Sequence, residues 1–384
     1  MLHTSDWHLG RSFLGEDILE QQRDFVAWLV ELVESERIEL VVVAGDVYDR
    51  AVPPLAAVSL WEDAVIALTR TCPVLVTSGN HDSPTRLGFA GRLLAESGLH
   101  LRTGLDTIAE PVIVEGRDGV VLAAYGIPYL EPDLHRGALD AERSHTAVLS
   151  AAMRRVREDL EARGDVRSLV AAHAFITGAS AAVVSDSERD LRVGGIGDAP
   201  SDVFQGVDYV ALGHLHGAQQ VDSADAHVRY SGSPLAFSFS EEAHVKSVTL
   251  LDIPASGSVE AVQVPTRVPR PLITLTGTLD AILSDPGTPR FADHWARVRL
   301  TDERRPDNAM ARVRQVLPHA VRLEFVADAP MSIVALDDDG QPSTDPLEIS
   351  LAFVEHVTST PADDAERALL RDAVERTRLG QVPG

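Results

Sequence analysis

Histidine, aspartate and asparagine residues recur in this chain at points where a run of apolar residues ends. Asp6 and His8 come first, and side chains at i and i+2 of an extended segment point to the same side, where both can bind one ion. Similar groups follow four later apolar runs, and the last repeats this spacing. The positions after those runs are Asp46, Asp49, Asn80, His81, Asp82, His173, His214 and His216. Because ligands bind at the carboxyl ends of strands in an open α/β sheet, these groups together indicate one shared site.

The types of side chain indicate a metal centre built without thiolates. A single group of this kind is more often a turn, a helix cap or a surface histidine, but five in succession are hard to explain structurally. Neutral imidazoles, carboxylates and an amide oxygen suit divalent manganese, iron or zinc, and the single cysteine, Cys72, gives no thiolate site. More side chains are present than one tetrahedral ion needs, which favours two ions and a bridging carboxylate. Two such ions stabilise both oxygens of a phosphoryl displacement, so the sequence predicts hydrolysis of a phosphate ester.

Alternating strand and helix patterns place these groups within residues 1–260. Buried-type strands such as "ELVVVAGD" and "PVLVTSGN" alternate with segments whose apolar residues recur at helical spacing. The helical segments are 16–37, 55–71, 85–97 and 140–163. This alternation predicts an α/β domain with a largely parallel central sheet and helices on its faces.

A proline-rich segment, "VPTRVPRP" at 264–271, indicates a linker after the α/β domain. Beyond it, the strand-like runs "PLITLTG", "WARVRLTD" and "AVRLEFV" around a helical segment predict a small α+β unit, and two amphipathic helices follow. We therefore expect three parts, residues 1–264, 265–340 and 341–384.

Composition limits the classes of function. A chain of 384 residues with 45% hydrophobic content can bury a substantial core. The net charge of -24 argues against a protein that coats nucleic acid by charge alone, although residues 265–327 carry 10 arginines against 7 acidic residues. No apolar run approaches the roughly 20 residues of a membrane helix, and the N-terminus lacks the pattern of a signal peptide. Together with the single cysteine, these features predict a cytoplasmic protein.

The order of the polar groups resembles that of the calcineurin-like metallophosphoesterases: D-x-H, G-D-x-x-D, G-N-H-[DE], a lone H and G-H-x-H. The resemblance implies a β-sandwich-type core flanked by helices, and a proton donor, His81, that serves the leaving alkoxide or steadies the phosphate. Asp49 would orient His81, since a carboxylate fixes the tautomer of an imidazole. The resemblance also implies two sets of metal ligands. Asp6, His8 and His216 would hold the first ion, and Asn80, His173 and His214 the second. Asp46 would bridge the two ions.

Longer stretches are similar to the SbcD family, the nuclease subunits of bacterial SbcCD complexes. They include "LHTSDWHLG", "AGDVYDRAVPP", "SGNHDSPTRLGFAGRLL" and "YSGSPLAFSFSEEAHVKSVTLLDI". This resemblance implies manganese as the metal and DNA as the substrate, with exonuclease action from the 3' end of double strands and endonuclease action on hairpins and single strands. It also implies a role in DNA repair, recombination and replication, an SbcC-type SMC-like ATPase as partner, and a homodimer of the nuclease subunit.

The same resemblance gives functions to the two later parts. Residues 265–340 would form a small α+β DNA-capping domain, which their arginine excess fits, although an ordinary solvated surface explains so small an excess equally well. The C-terminal helices in residues 341–384 would bind the ATPase near the base of its coiled coil, or alternatively pack on their own domain.

Two other hypotheses remain for the activity. One is a phosphatase or cyclic-nucleotide phosphodiesterase on the same dimetal scaffold, and the other is a binding module that has lost turnover. The complete ligand set and the intact His81 count against the binding module. The long region after residue 264 counts against a hydrolase of small substrates, which has little use for a separate basic cap and a terminal helix pair.

Overall fold

The chain divides into two compact units, Met1–Ile273 and Thr274–Gly384. The computed structural model describes residues 1–178, 184–188, 198–224, 226–267, 270–326, 343, 345–358 and 360–378. The three parts expected from the sequence stay predictions, and the boundary expected between residues 340 and 341 lies outside the described residues.

The first unit consists of strands and helices that largely alternate along the chain. Its strands are β1 (Leu2–Thr4), β2 (Ser12–Phe13), β3 (Glu16–Asp17), β4 (Val41–Ala44), β5 (Val74–Thr77), β6 (Leu99–Arg102), β7 (Val112–Glu115), β8 (Val121–Ile127), β9 (Arg167–His173), β10 (Ile176–Thr177), β11 (Ala199–Pro200), β12 (Tyr209–Gly213), β13 (Gln219–Val221), β14 (His227–Tyr230), β15 (Ser247–Asp252) and β16 (Glu260–Pro265). Its helices are α1 (Leu19–Ser35), α2 (Leu55–Thr69), α3 (Pro84–Leu87), α4 (Gly91–Ala95), α5 (Pro132–Leu139) and α6 (His145–Arg163).

Two six-stranded sheets form the centre of this unit. Their strand orders are β16-β15-β1-β4-β5-β6 and β13-β14-β12-β9-β8-β7. In the first sheet β1, β4, β5 and β6 are parallel, and in the second β8, β9, β12 and β14 are parallel, with antiparallel strands at the remaining edges. The parallel strands therefore bring their carboxyl ends to one edge of each sheet.

The two sheets share a buried apolar layer, which confirms the β-sandwich-type core. Val42 and Leu75 of the first sheet belong to one packed cluster with Leu122, Leu169 and Tyr209 of the second. The single central sheet predicted from the alternation is wrong in this respect. Its strands are buried on both faces as expected of parallel strands, but one face is covered by helices and the other by the second sheet.

Helices cover the outer faces of both sheets. Apolar side chains of α1 and α2, such as Leu29 and Leu60, pack on the first sheet, and those of α6, such as Val148 and Val156, pack on the second. Each such side chain stabilises the fold by about 1.5–3 kcal/mol when fully buried. The helical segment predicted at 85–97 is instead two short helices, because Ala90 between them has a left-handed backbone with φ of 58°.

The second unit contains a three-stranded sheet in the order β17 (Leu272–Gly277), β18 (Trp295–Leu300), β19 (Ala320–Phe325). The helices α7 (Leu279–Ser284) and α8 (Ala309–Arg314) complete the expected small α+β unit, and the expected terminal helices are α9 (Pro346–Thr358) and α10 (Asp364–Arg378). None of the helices among the described residues is long and apolar enough to cross a membrane.

Candidate metal centre

The seven predicted metal ligands converge at the carboxyl ends of strands from both sheets. Six of them are almost fully buried, with exposures between 0% and 5%, and Asn80 is partly buried. The loops after β1, β4 and β5 of the first sheet and the ends of β9 and β12 of the second sheet supply them. In chain order they are Asp6, His8, Asp46, Asn80, His173, His214 and His216.

The first pair of ligands reaches the site by a route that differs from the expected extended strand. Strand β1 ends at Thr4, and Asp6 and His8 have left-handed backbones with φ of 55° and 44°. The amide of Asp6 donates to the carbonyl oxygen of Gly45 at 3.1 Å, and that of His8 donates to the carbonyl oxygen of Asp46 at 3.0 Å. The pairing of the two loops, rather than strand geometry, therefore orients these side chains. Such backbones are rare outside glycine and concentrate at functional sites.

Two motif glycines let the loops approach closely enough to share ligands. A Cβ atom on Gly45, whose φ is 85°, would fall on the ring of His173, and one on Gly213 would fall on the carbonyl oxygen of Ala44. Only glycine leaves that space and adopts the left-handed conformation without strain.

One group of ligands consists of Asp6, His8 and His216, whose donor atoms lie within 4.8 Å of one another. The Nε2 atoms of the two histidines are 3.1 Å apart. Burial lowers the pKa of His8 well below its usual value and that of His216 to about 4, so both rings are neutral, which is the form that binds a metal.

A second group of possible ligands shares Asp6 with the first. Asp6, Asp46 and His173 also have donor atoms within 4.8 Å of one another. Oδ2 of Asp46 lies 3.7 Å from Nε2 of His8 and 3.5 Å from Nε2 of His173, and that Nε2 is 2.9 Å from Oδ1 of Asn80. Asp46 thus stands between histidines of the two predicted ligand sets.

His214 lies beside the second group and belongs to none of the three groups of donor atoms found among the described residues. Its ring centre is 5.5 Å from that of His173, and its amide donates to both carboxylate oxygens of Asp6 at 3.1 Å. The structure therefore gives His214 a main-chain role in orienting Asp6, in addition to the ligand role expected of its ring.

The remaining ring nitrogens of two ligands are fixed by neighbouring acceptors. Nδ1 of His173 is 3.0 Å from the carbonyl oxygen of Ala44, and Nδ1 of His216 is 3.2 Å from Oε1 of Glu241 and 2.6 Å from Oγ of Ser187. Protons on these Nδ1 atoms leave Nε2 available to an ion. Sequence reasoning missed Ser187, which lies in no recognised motif, and Glu241, which lies in a stretch similar to the SbcD family but was given no role.

The predicted contact between Asp49 and His81 exists, but it uses a different atom. Nδ1 of His81 is 2.7 Å from the main-chain carbonyl oxygen of Asp49. The Asp49 carboxylate instead lies 3.8 Å from Nδ1 of His8 and 3.6 Å from Nη1 of Arg11. The Asp49 carboxylate also forms, with His8 and His81, a third group of donor atoms within 4.8 Å of one another, so the expectation that it orients His81 stays a prediction beside the contact made by its carbonyl oxygen.

Asp82, the last residue of the third motif, ties two ligand loops together. Its carboxylate accepts hydrogen bonds from the amides of Val47, Tyr48 and Gly79 at 3.2, 2.9 and 2.9 Å. Because Asp46 and Asn80 lie in these loops, Asp82 fixes one ligand relative to the other.

The donor set fits divalent metal ions. Burial raises the pKa of the Asp6 carboxyl to about 7, an effect that His173 opposes and the nearby Asp46 carboxylate reinforces. A buried carboxylate without a compensating charge is costly, and a bound cation offsets that cost. The neutral imidazoles and the amide oxygen of Asn80 complete a set of ligands typical of manganese, iron or zinc.

Family comparisons agree with this geometry. The profile described as calcineurin-like phosphoesterase matches residues 1–218, and the profile described as type 5 capsule protein repressor C-terminal domain, SbcD_C, matches residues 268–350. A curated relative from Bacillus subtilis, the D component of the nuclease SbcCD, is 37% identical over 261 residues, which make up 66% of this chain and 66% of that protein.

Two solved structures are similar at low identity. The match to the protein TT1561 of Thermus thermophilus covers 68% of this chain and 97% of that protein, with 14% identity and a TM-score of 0.41. The calcineurin-like phosphoesterase YfkN of Bacillus subtilis covers 68% of this chain and 87% of its own, with 16% identity and a TM-score of 0.37. The family profile over residues 1–218 spans more than half of the sequence and includes all seven ligand positions. The chain therefore belongs to the calcineurin-like phosphoesterase family, as a homologue of the SbcD nuclease subunits.

Proposed function

We propose that this SbcD-type nuclease hydrolyses DNA phosphodiesters with two divalent metal ions, and that manganese is the metal used. The position of the Asp46 carboxylate between His8 and His173 carries the two-ion proposal, since one carboxylate within reach of both ligand sets can bridge two ions. Asp6, His8 and His216 would hold the first ion, and Asn80, His173 and His214 the second.

Bound ions would acidify a water molecule and offset the charge that develops on the phosphate. The chain itself holds and orients the reacting groups. The amide of His81 donates to Oδ1 of Asp46 at 2.8 Å, and Nδ1 of the same ring meets the carbonyl oxygen of Asp49. This orients the ring so that Nε2 can deliver a proton to the leaving alkoxide, or hold the phosphate by a hydrogen bond.

The substrate proposed is DNA, cut from the 3' end of double strands and within hairpins and single strands, in repair, recombination and replication. The homology to an SbcCD nuclease component supports this proposal. Arg297 and Arg299 on β18 of the second unit add weaker support for a DNA-capping role. Arg299 pairs with Glu324 at 3.3 Å, which offsets part of its charge.

An SbcC-type ATPase is the proposed protein partner, bound by α9 and α10. These helices expose Ile349, Phe353 and Leu369, with exposures of 43%, 54% and 69%, which apolar contacts with a partner would cover. The single free cysteine, Cys72, supports a reducing and hence cytoplasmic location.

A homodimer of the nuclease subunit is part of the same proposal. Leu55, Phe89 and Leu93 are large apolar residues with exposures of 86%, 80% and 68% at the start of α2 and around α4. Arg86 of α3 donates to the carbonyl oxygen of Ala51 at 3.0 Å, which holds these two segments together. A second copy of the chain would bury this surface.

The experiment that tests the proposed function compares two substrates in manganese. The purified chain is given a hairpin-ended DNA duplex and, separately, a cyclic nucleotide, with and without an SbcC-type coiled-coil ATPase. We expect cleavage of the hairpin and no comparable hydrolysis of the cyclic nucleotide. Hydrolysis of the cyclic nucleotide alone would instead support the small-substrate phosphodiesterase.

A further inference from the structure

The only lysine among the 34 basic residues of this chain, Lys246, is buried next to the metal centre. Its side chain is 3% exposed, and its ammonium donates three hydrogen bonds. The acceptors are the carbonyl oxygen of His216 at 3.0 Å, Oγ of Ser233 at 2.9 Å and Oε2 of Glu241. An ammonium has three donors, and all three are therefore satisfied.

The partner carboxylate continues this network to the ring of the same histidine. Oε1 of Glu241 is 3.2 Å from Nδ1 of His216 and also accepts from the hydroxyl of Ser187. Burial alone would raise the pKa of the Glu241 carboxyl, but the hydrogen bond from His216 and the charge of Lys246 outweigh it and hold the pKa well below its usual value. The ion pair with Lys246 and the position of Oε1 beside Nδ1 make Glu241 the acceptor of the Nδ1 proton of His216.

His216 is consequently held at both its main chain and its side chain. Lys246 binds its carbonyl oxygen, and Glu188 accepts from its amide at 2.6 Å. Glu241 fixes the ring with Nε2 directed toward Nε2 of His8, 3.1 Å away. A histidine ligand whose other ring nitrogen is bound by a carboxylate is both oriented and made more basic.

The use of lysine rather than arginine has a geometric reason. Three acceptors surround one nitrogen atom of Lys246 inside a dry cluster. A guanidinium is planar and larger and spreads its donors over three nitrogen atoms, so it cannot direct three hydrogen bonds from a single point.

We propose that Lys246 and Glu241 are a positioning pair that fixes His216 as a ligand of the first metal ion, and that an arginine cannot replace this lysine. The inference rests on the proposed two-ion site. Both side chains are buried, with exposures of 3% and 0%, so we expect their effect to be on the affinity and occupancy of one of the two ions.

The test measures the binding of Mn²⁺ to the metal-free, full-length protein by titration calorimetry. The wild-type chain should bind two Mn²⁺ ions, and His216→Ala identifies which binding phase belongs to the first ion. In Lys246→Arg and Lys246→Met we expect that phase to weaken by roughly 10- to 100-fold, the usual cost of losing an outer partner of a histidine ligand, with the other phase unchanged. A wild-type chain that binds fewer than two ions would refute the proposed function rather than this inference.

Two further variants separate positioning from general stability. Glu241→Met combined with Lys246→Met leaves no buried charge unpaired, so it should stay folded by thermal unfolding and still show the weakened first phase. Asp208→Asn disrupts another ion pair, with Arg167 at 3.0 Å, at the opposite end of β12, and should leave both phases intact. Wild-type affinities in the lysine variants, or an equal loss in both phases, would overturn the positioning role.

Discussion

Nδ1 of His81 lies 2.7 Å from the main-chain carbonyl oxygen of Asp49, and the amide of His81 donates to the carboxylate of Asp46. The ring proposed to serve the leaving group is thus held by the loop that carries Asp46, the carboxylate proposed to bridge the two ions. This contact makes the orientation of His81 depend on the path of the main chain around Asp49, whose carboxylate also lies within 4.8 Å of a ring nitrogen of His81.

Replacing His81 should separate catalysis from metal binding. His81→Ala removes the proton donor but none of the predicted ligands, so we expect cleavage of a DNA duplex in manganese to fall by about 100- to 10,000-fold. Mn²⁺ binding measured by calorimetry should stay at two ions. Cleavage near the wild-type rate would show that His81 does not have this role.

Asp49→Asn is the matched variant, because it keeps the carbonyl oxygen that orients His81 and removes only the carboxylate charge. We expect a loss of cleavage below about 10-fold, the scale of one hydrogen-bond-sized interaction. A loss as large as that of His81→Ala would mean that the carboxylate, through its approach to His8 and Arg11, is essential.

The exposed apolar residues of the C-terminal helices should be needed for binding the ATPase partner but not for folding or for cleavage. Phe353→Asp with Leu369→Asp alters two exposed side chains, so folding and manganese-dependent cleavage by the isolated subunit should be retained, whereas co-purification with the ATPase should be lost. Val262→Asp, at a side chain that is 60% exposed on β16, is the control. A complex that survives the double substitution would indicate that these helices serve their own unit.

The surface around Phe89 should control the oligomeric state. Phe89→Asp with Leu93→Asp places two charges on it, and we expect light scattering to report a dimer for the wild-type chain and a monomer for the double variant. Leu134→Asp, at a side chain that is 77% exposed on α5, should leave the dimer unchanged. A dimer that persists in the double variant would place the contact elsewhere.

Arginines of the second unit should contribute to DNA affinity through interactions with phosphates. Neutralising Arg297, Arg299, Arg304 and Arg305 together should weaken binding of a duplex and reduce the slope of log K against log salt by about one for each phosphate that is no longer neutralised. Fluorescence anisotropy across a salt series measures both quantities. An unchanged slope would indicate that these arginines do not contact the phosphates of bound DNA.

Sequence reasoning predicted the candidate ligands, which the structure brings together, because their residue types and order are unusual, but it could not predict how they are oriented. Whether Asp49 uses its carboxylate or its carbonyl depends on the turn that the loop makes, which the residue types leave open. Glu241 and Ser187 are 25 and 29 residues away from His216 along the chain and reach it only through tertiary folding. The lone lysine was visible in the sequence as a compositional feature, and only its buried contacts give it a role.

The fold, too, could be predicted only in part from the sequence. The alternation of apolar runs and helical segments correctly predicted buried parallel strands. It could not distinguish one sheet from two, because strands buried on both faces have the same apolar pattern in either arrangement. The stacking of two sheets followed from the family resemblance instead. Helix ends depended on single residues, such as Ser144, whose side chain accepts from the amide of Ala147 at 3.1 Å and starts α6 at His145.

The central claim is that two metal ions share the Asp46 carboxylate. Electron paramagnetic resonance of the full-length chain loaded with Mn²⁺ tests it directly, because two ions bridged by one carboxylate are magnetically coupled. We predict two Mn²⁺ per chain with a coupled spectrum that disappears in Asp46→Ala. A single bound ion, or two ions whose spectra are independent in the wild-type chain, would contradict the account.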